Sequence, residues 1–201
     1  MLLLTNGNIL TFNKKSEIIE NGAVLIKGNK IVEVGSTKNL KEKYPEAEEF
    51  DVKDKIVMPG LVNTHMHFYS TFARGMDLKT DQPPQDFVDI LEKLWWRLDE
   101  NLNEEDIYYS TIYALLSSIK SGTTTIFDHH ASYGYINGSL DIISEAVKEA
   151  GIRANLSYEI SDRNGEIKAE KALNENERFL KTLDNKDNIL SGTIGLHASF
   201  T

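Results

Sequence analysis

Ile56-Val57-Met58-Pro59-Gly60-Leu61-Val62-Asn63-Thr64-His65-Met66-His67 is an apolar run that ends in two histidines one residue apart. From Ile56 to Asn63 it reads as a buried strand. Alternate side chains of a strand share a face. His65 and His67 therefore leave the strand end together and aim at one point. Two imidazoles so placed grip a divalent ion, and imidazole suits zinc, iron and nickel better than calcium or magnesium. The stretch that follows, Tyr69 to Met76, is polar and carries Gly75.

Downstream, strands alternate with helices. Residues 87–98 have helical periodicity. Asn103 caps a helix over 104–121, with acids in its first turn and Gly122 after its end. Thr123 to Phe127 reads as a strand. Ser139 caps a helix over 140–150, which Gly151 closes. Ile152 to Ile160 is the next strand, 166–183 a helix, and Leu190 to Leu196 a fourth strand. This alternation implies a parallel sheet with crossover helices. Upstream, residues 1–58 read as small β structure. Val24 to Val34 forms a hairpin around Gly28-Asn29, Ser36 caps a short helix that Pro45 ends, and Glu48 to Lys53 offers a further strand. The division falls between 1–58 and 59–201.

The chain of 201 residues has 40% hydrophobic and 26% charged residues, ordinary for a globular protein. Its net charge of −9 argues against a nucleic-acid or anionic-membrane partner. Without cysteine there is no disulfide, thiolate metal site or thiol nucleophile. The start, Met1 to Gly7, has no basic leader pattern, and no apolar run approaches the ~20 residues of a membrane helix. A cytoplasmic location is expected. Phosphate-loop, dinucleotide and serine-elbow motifs are missing from the sequence.

All five histidines fall at strand ends: His65 and His67, His129 and His130, and His197. In a parallel barrel these ends form the active face. Only one of the neighbours His129 and His130 can point into its mouth, and His130 is taken as the substrate-side candidate. Trp95 and Trp96 diverge by ~100° on a helix, so at most one is expected at a site and core packing is favoured. Arg74 reads as a surface or capping residue ahead of an anion ligand.

Four segments, Pro59 to His67, Leu94 to Asp99, Ile126 to Ser132 and Gly195 to Thr201, together resemble the amidohydrolase superfamily of metal-dependent hydrolases. Within it they are similar to the SsnA-type aminohydrolases, relatives of nucleobase deaminases and triazine chlorohydrolases. The resemblance runs along the whole chain. It implies an α/β fold: the N-terminal part of a (β/α)8 barrel, preceded by part of a small β-sandwich domain. A full barrel has eight strands and typically ~250 residues, so the barrel is expected to be incomplete here.

The resemblance implies one divalent ion, zinc ahead of iron, held by His65 and His67. No lysine stands at the fourth strand end to bridge a second ion. A third histidine, an aspartate ligand and the proton-shuttling glutamate would lie beyond residue 201, so no catalytic acid or base is assigned within the chain. His197 is implied to contact substrate, although Ser199 stands where the family has proline. The expected activity is hydrolysis of a carbon–nitrogen bond in a cyclic amidine or nucleobase-like small molecule, by a homo-oligomer when full-length. Dechlorination is the alternative within that class. A catalytically incompetent fragment or scaffold is the alternative outside it.

Overall fold

A computed structural model of the chain describes residues 1–79, 82–184 and 189–198. They form two compact units, Met1–Gly60 and Leu61–Thr201. The first is a five-stranded sheet. Its central strand β1 (Leu2–Leu10) alternates buried and half-buried residues, as one covered face requires. β2 (Ile18–Lys27) runs antiparallel to β1, and β3 (Lys30–Ser36) antiparallel to β2. Gly28 takes the positive φ of +59° that the tight turn between them needs. The Ser36 hydroxyl caps α1 (Thr37–Lys43) by accepting the Asn39 N–H. β4 (Glu48–Asp51) and β5 (Ile56–Val57) pair parallel with β1. Leu3, Ala23, Leu25 and Leu40 make this unit's core.

The apolar run that reads as one strand is therefore two. Ile56 and Val57 pair with Asn8 and Ile9 of the first unit. β6 (Leu61–Met66) opens the second unit beside its next strand. Pro59 has no N–H to donate and biases the residue before it, so the ladder breaks between them. Nor is β6 buried among the described residues: Leu61 is 49% and Val62 56% exposed.

After β6 come a 3-10 turn (Phe68–Ala73) and a helical segment. That segment consists of α2 (Phe87–Ile90), a π turn (Leu91–Trp95) and α3 (Trp96–Asp99). Then follow α4 (Glu104–Lys120), β7 (Thr123–His130), α5 (Ser139–Ala150), β8 (Arg153–Ile160), α6 (Glu166–Thr182), β9 (Leu190–Gly192) and β10 (Gly195–Leu196). The sheet is parallel, in the order β10-β8-β7-β6, with β9 also on β8. Strands following one another in sequence order, with helices between, make the first part of a (β/α)8 barrel; among the described residues the sheet is open. β9 and β10 sit on β8 in one register, Leu190 opposite Ala154 and Gly195 opposite Glu159. The fourth strand is thus interrupted at Thr193 and Ile194 without slipping.

Alternation on β8 sets up the site. Ala154, Leu156 and Tyr158 enter the core with Ile143, Val147 and Phe179 of the helices. Asn155, Ser157 and Glu159 line a cavity. α4 starts with a reciprocal cap between Asn103 and Asp106, each bond 3.1 Å. α5 is capped differently from the sequence reading. Gly138 is its N-terminal cap residue and Ser139 donates to the Ile136 carbonyl instead. Glu175 of α6 accepts the N–H groups of Gly138 (3.0 Å) and Leu140 (3.1 Å), and Arg178 holds both of its carboxylate oxygens.

Candidate active site

The cavity, of about 740 Å³, lies at the carboxyl ends of β6, β7, β8 and β10. The backbone stays extended through His67 (φ −133°, ψ 97°), so His65 and His67 share a face. Their Nε2 atoms are 3.2 Å apart and their rings nearly perpendicular. Two nitrogens bound to one tetrahedral zinc at roughly 2.0–2.1 Å lie about 3.3 Å from each other. His67 Nδ1 is 2.7 Å from the His129 carbonyl, which can only accept. The proton is therefore on Nδ1, and Nε2 presents its lone pair beside His65. A backbone carbonyl orienting a ligand imidazole is the usual support of a metal histidine. Burial lowers the His67 pKa, which also keeps it neutral. Among the described residues no three His, Cys, Asp or Glu side chains gather to hold an ion. A catalytic zinc usually takes three protein ligands, so this pair fits part of such a site.

The substrate-side expectation for His130 needs correction. His130 is 0% exposed and is enclosed by the rings of Tyr69 and Tyr158. It shares the parity of Ile126, which faces the helices. His129 has the opposite parity and lines the cavity. Burial pushes the His129 imidazole down to about 4 and that of His130 to about 3. His197 also lines the cavity, its backbone N–H bonded to the Ile160 carbonyl. Ser199 to Thr201, the rest of that sequence segment, lie outside the described residues.

Sequence reasoning gave no role to three carboxylates beside the cavity. Asp99 and Glu159 share one guanidinium: Arg163 Nη2 is 2.7 Å from Asp99 Oδ2 and 3.3 Å from Glu159 Oε1. All three side chains are buried, and Arg163 stacks on the Tyr133 and Trp96 rings. Burial raises the Asp99 pKa, and the guanidinium pulls it back. Glu159 Oε2 lies 3.8 Å from both His129 Nε2 and His197 Nε2. Because His129 is neutral near pH 7, its approach to Glu159 is not an ion pair. The third acid, Asp128, accepts the Phe68 N–H (2.7 Å) and so anchors the turn after His67; burial holds its carboxyl well above the usual range. The polar–apolar alternation from Ala154 to Glu159 was the signal that could have found Glu159.

Both Trp95 and Trp96 line the cavity, contrary to expectation. The π turn that ends at Trp95 departs from the α-helical spacing on which that expectation rested. Arg74 lies outside the cavity, over the exposed Tyr113 ring.

The sequence pattern described as the amidohydrolase family matches residues 56–201. That of the bacterial imidazolonepropionase-like composite domain matches residues 22–47. The 5'-deoxyadenosine deaminase of Methanocaldococcus jannaschii is 36% identical over 179 residues, 89% of this chain and 39% of the relative. A 5-methylthioadenosine/S-adenosylhomocysteine deaminase of Bacillus cereus is 32% identical over 197 residues, 98% of this chain and 43% of the relative. A mutant atrazine chlorohydrolase of Arthrobacter aurescens, solved with zinc and atraton, superposes with a TM-score of 0.78 at 20% identity. That match covers 98% of this chain and 46% of the other. The chain thus spans less than half the length of these relatives.

Proposed function

The chain belongs to the amidohydrolase family, and from that premise we propose that it carries the first part of a zinc-dependent aminohydrolase site for an adenosine-like nucleoside. The observation that carries this reading is the convergence of His65 and His67 at 3.2 Å, with the His67 proton committed to the His129 carbonyl. These two imidazoles would hold the ion. When bound, zinc supplies the Lewis acidity that makes water a competent nucleophile near neutral pH. His129 and His197 face the same cavity and would hold the heterocycle, with Trp95 and Trp96 as flat apolar walls. Residues 1–58 are read as part of a composite β domain, supported by the match over 22–47.

Deamination is favoured over dechlorination because the relatives at 36% and 32% identity are deaminases, whereas the chlorohydrolase likeness at 20% concerns fold alone. On the resemblance of the four sequence segments we further propose an SsnA-type aminohydrolase that acts on a small molecule in the cytoplasm as a homo-oligomer. No helix among the described residues is long and apolar enough to cross a membrane.

The test uses the protein that carries this chain together with any segment following residue 201 in its gene. Ammonia release from 5'-deoxyadenosine, 5'-methylthioadenosine and guanine is measured beside chloride release from atrazine. Ammonia from a nucleoside is expected, with bound zinc. His65→Ala and His67→Ala are each expected to lose most metal. His197→Ala should retain metal and turn over poorly. Equal metal loss in all three variants would refute the assignment.

A further inference from the structure

Glu159 is 4% exposed, and its two carboxylate oxygens keep different company. Oε1 is 3.3 Å from Arg163 Nη2. Arg163 is in turn fixed by Asp99 at 2.7 Å and by the rings of Tyr133 and Trp96, 4.2 and 5.1 Å from its guanidinium carbon. The Tyr133 hydroxyl also donates to the backbone carbonyl of Glu159 (3.1 Å), which fixes the main chain beneath that side chain. This end of the side chain is therefore immobilised. Oε2 lies 3.8 Å from His129 Nε2 and 3.8 Å from His197 Nε2. His129 Nε2 is buried and has no hydrogen-bond partner among the described residues. Its ring occupies space that only glycine leaves at position 195: a Cβ there would stand 2.9 Å from Cε1 and 3.0 Å from Nδ1.

We propose that Glu159 is a positioning residue whose Oε2 orients the imidazoles of His129 and His197 and fixes both with the proton on Nε2. A carboxylate offers only lone pairs, so a ring nitrogen turned toward it must carry the hydrogen, and Nδ1 becomes the acceptor. The 3.8 Å approach exceeds a formed N–H···O bond of roughly 3.0 Å. A small side-chain adjustment closes the difference. For ligand binding, and resting on the aminohydrolase reading above, the His129 ring can then accept a ligand N–H at Nδ1 and cannot donate from that atom to a ligand oxygen.

Imidazole nitrogen NMR on the zinc-loaded protein, isotope-labelled at histidine and free of substrate, tests this. Spectra of His129→Gln and His197→Gln assign the two rings. Both are expected as the Nε2–H tautomer. In Glu159→Gln, Arg163 keeps the amide oxygen and the amide NH2 takes the place of Oε2. Donation from it into Nε2 should move the proton of both rings to Nδ1. An Nδ1–H tautomer or a tautomeric mixture at either wild-type ring overturns the proposal, as do unchanged tautomers in a folded Glu159→Gln protein. The wild-type spectrum decides even if that variant does not fold. Because no substrate is present, the outcome is separate from any failure to deaminate nucleosides.

Discussion

His130 is fully enclosed, and neither of its ring nitrogens has a hydrogen-bond partner among the described residues. Burial depresses its pKa to about 3, against an ordinary value of ~6.5. Between these limits the unfolded chain binds the extra proton and the folded chain does not. The contribution is present in full above the unfolded value and is lost as pH falls toward the folded one, on the order of 5 kcal/mol when complete. His129, depressed to about 4, acts in the same direction. His130→Leu should therefore show a shallower loss of urea midpoint from pH 7 to pH 4 than wild type; parallel slopes would contradict the assignment. The positions of the histidines at strand ends were legible in the sequence. Which of His129 and His130 faces inward was not, because Ile126 and Phe127 are both apolar and leave the parity of β7 undecided.

At the level of elements, the clearest dependence is of α5 on α6. Glu175 is 2% exposed and satisfies two N–H groups at the start of α5. Glu175→Ala leaves them unpaired in a largely buried site and strips Arg178 of one of its two carboxylate partners. A loss of roughly 2–4 kcal/mol is expected in denaturant unfolding; a change below about 0.5 kcal/mol, the range of ordinary surface substitutions, would mean water replaces the cap. The helix itself was readable from its periodicity and from Gly151, whose φ of +69° ends it. The cap was not, because its donor and acceptor are far apart in sequence and Ser139 offered a plausible local one. The same limit applies to Asp99, Glu159 and Arg163, which only the packing of α3 near the end of β8 unites.

For the whole molecule, the parallel order of β6, β7 and β8 followed from strand–helix alternation alone. That the run from Ile56 to Asn63 is two strands did not, since its unbroken apolar character conceals a change of sheet at Pro59. The second unit's sheet leaves β6 on one edge and β9 with β10 on the other, with Leu61, Val62 and Leu196 exposed. Unpaired strand edges bearing apolar side chains recruit other chains. Residues 1–201 produced by themselves should therefore associate in a concentration-dependent way, despite a net charge of −9 that opposes it. Sedimentation over a hundredfold concentration range checks this; a single monomeric species throughout would show that the edges are protected.

The carboxylate that completes the first turn of α5 stands 37 residues after Gly138 and 35 after Leu140. During synthesis from the N-terminus, α5 emerges well before the group it needs. Its opening turn has to wait, bonded to water, until α6 has been made and has folded back. The βα units of this chain are thus expected not to mature one by one in the order they are translated, the capped start of α5 forming only together with α6.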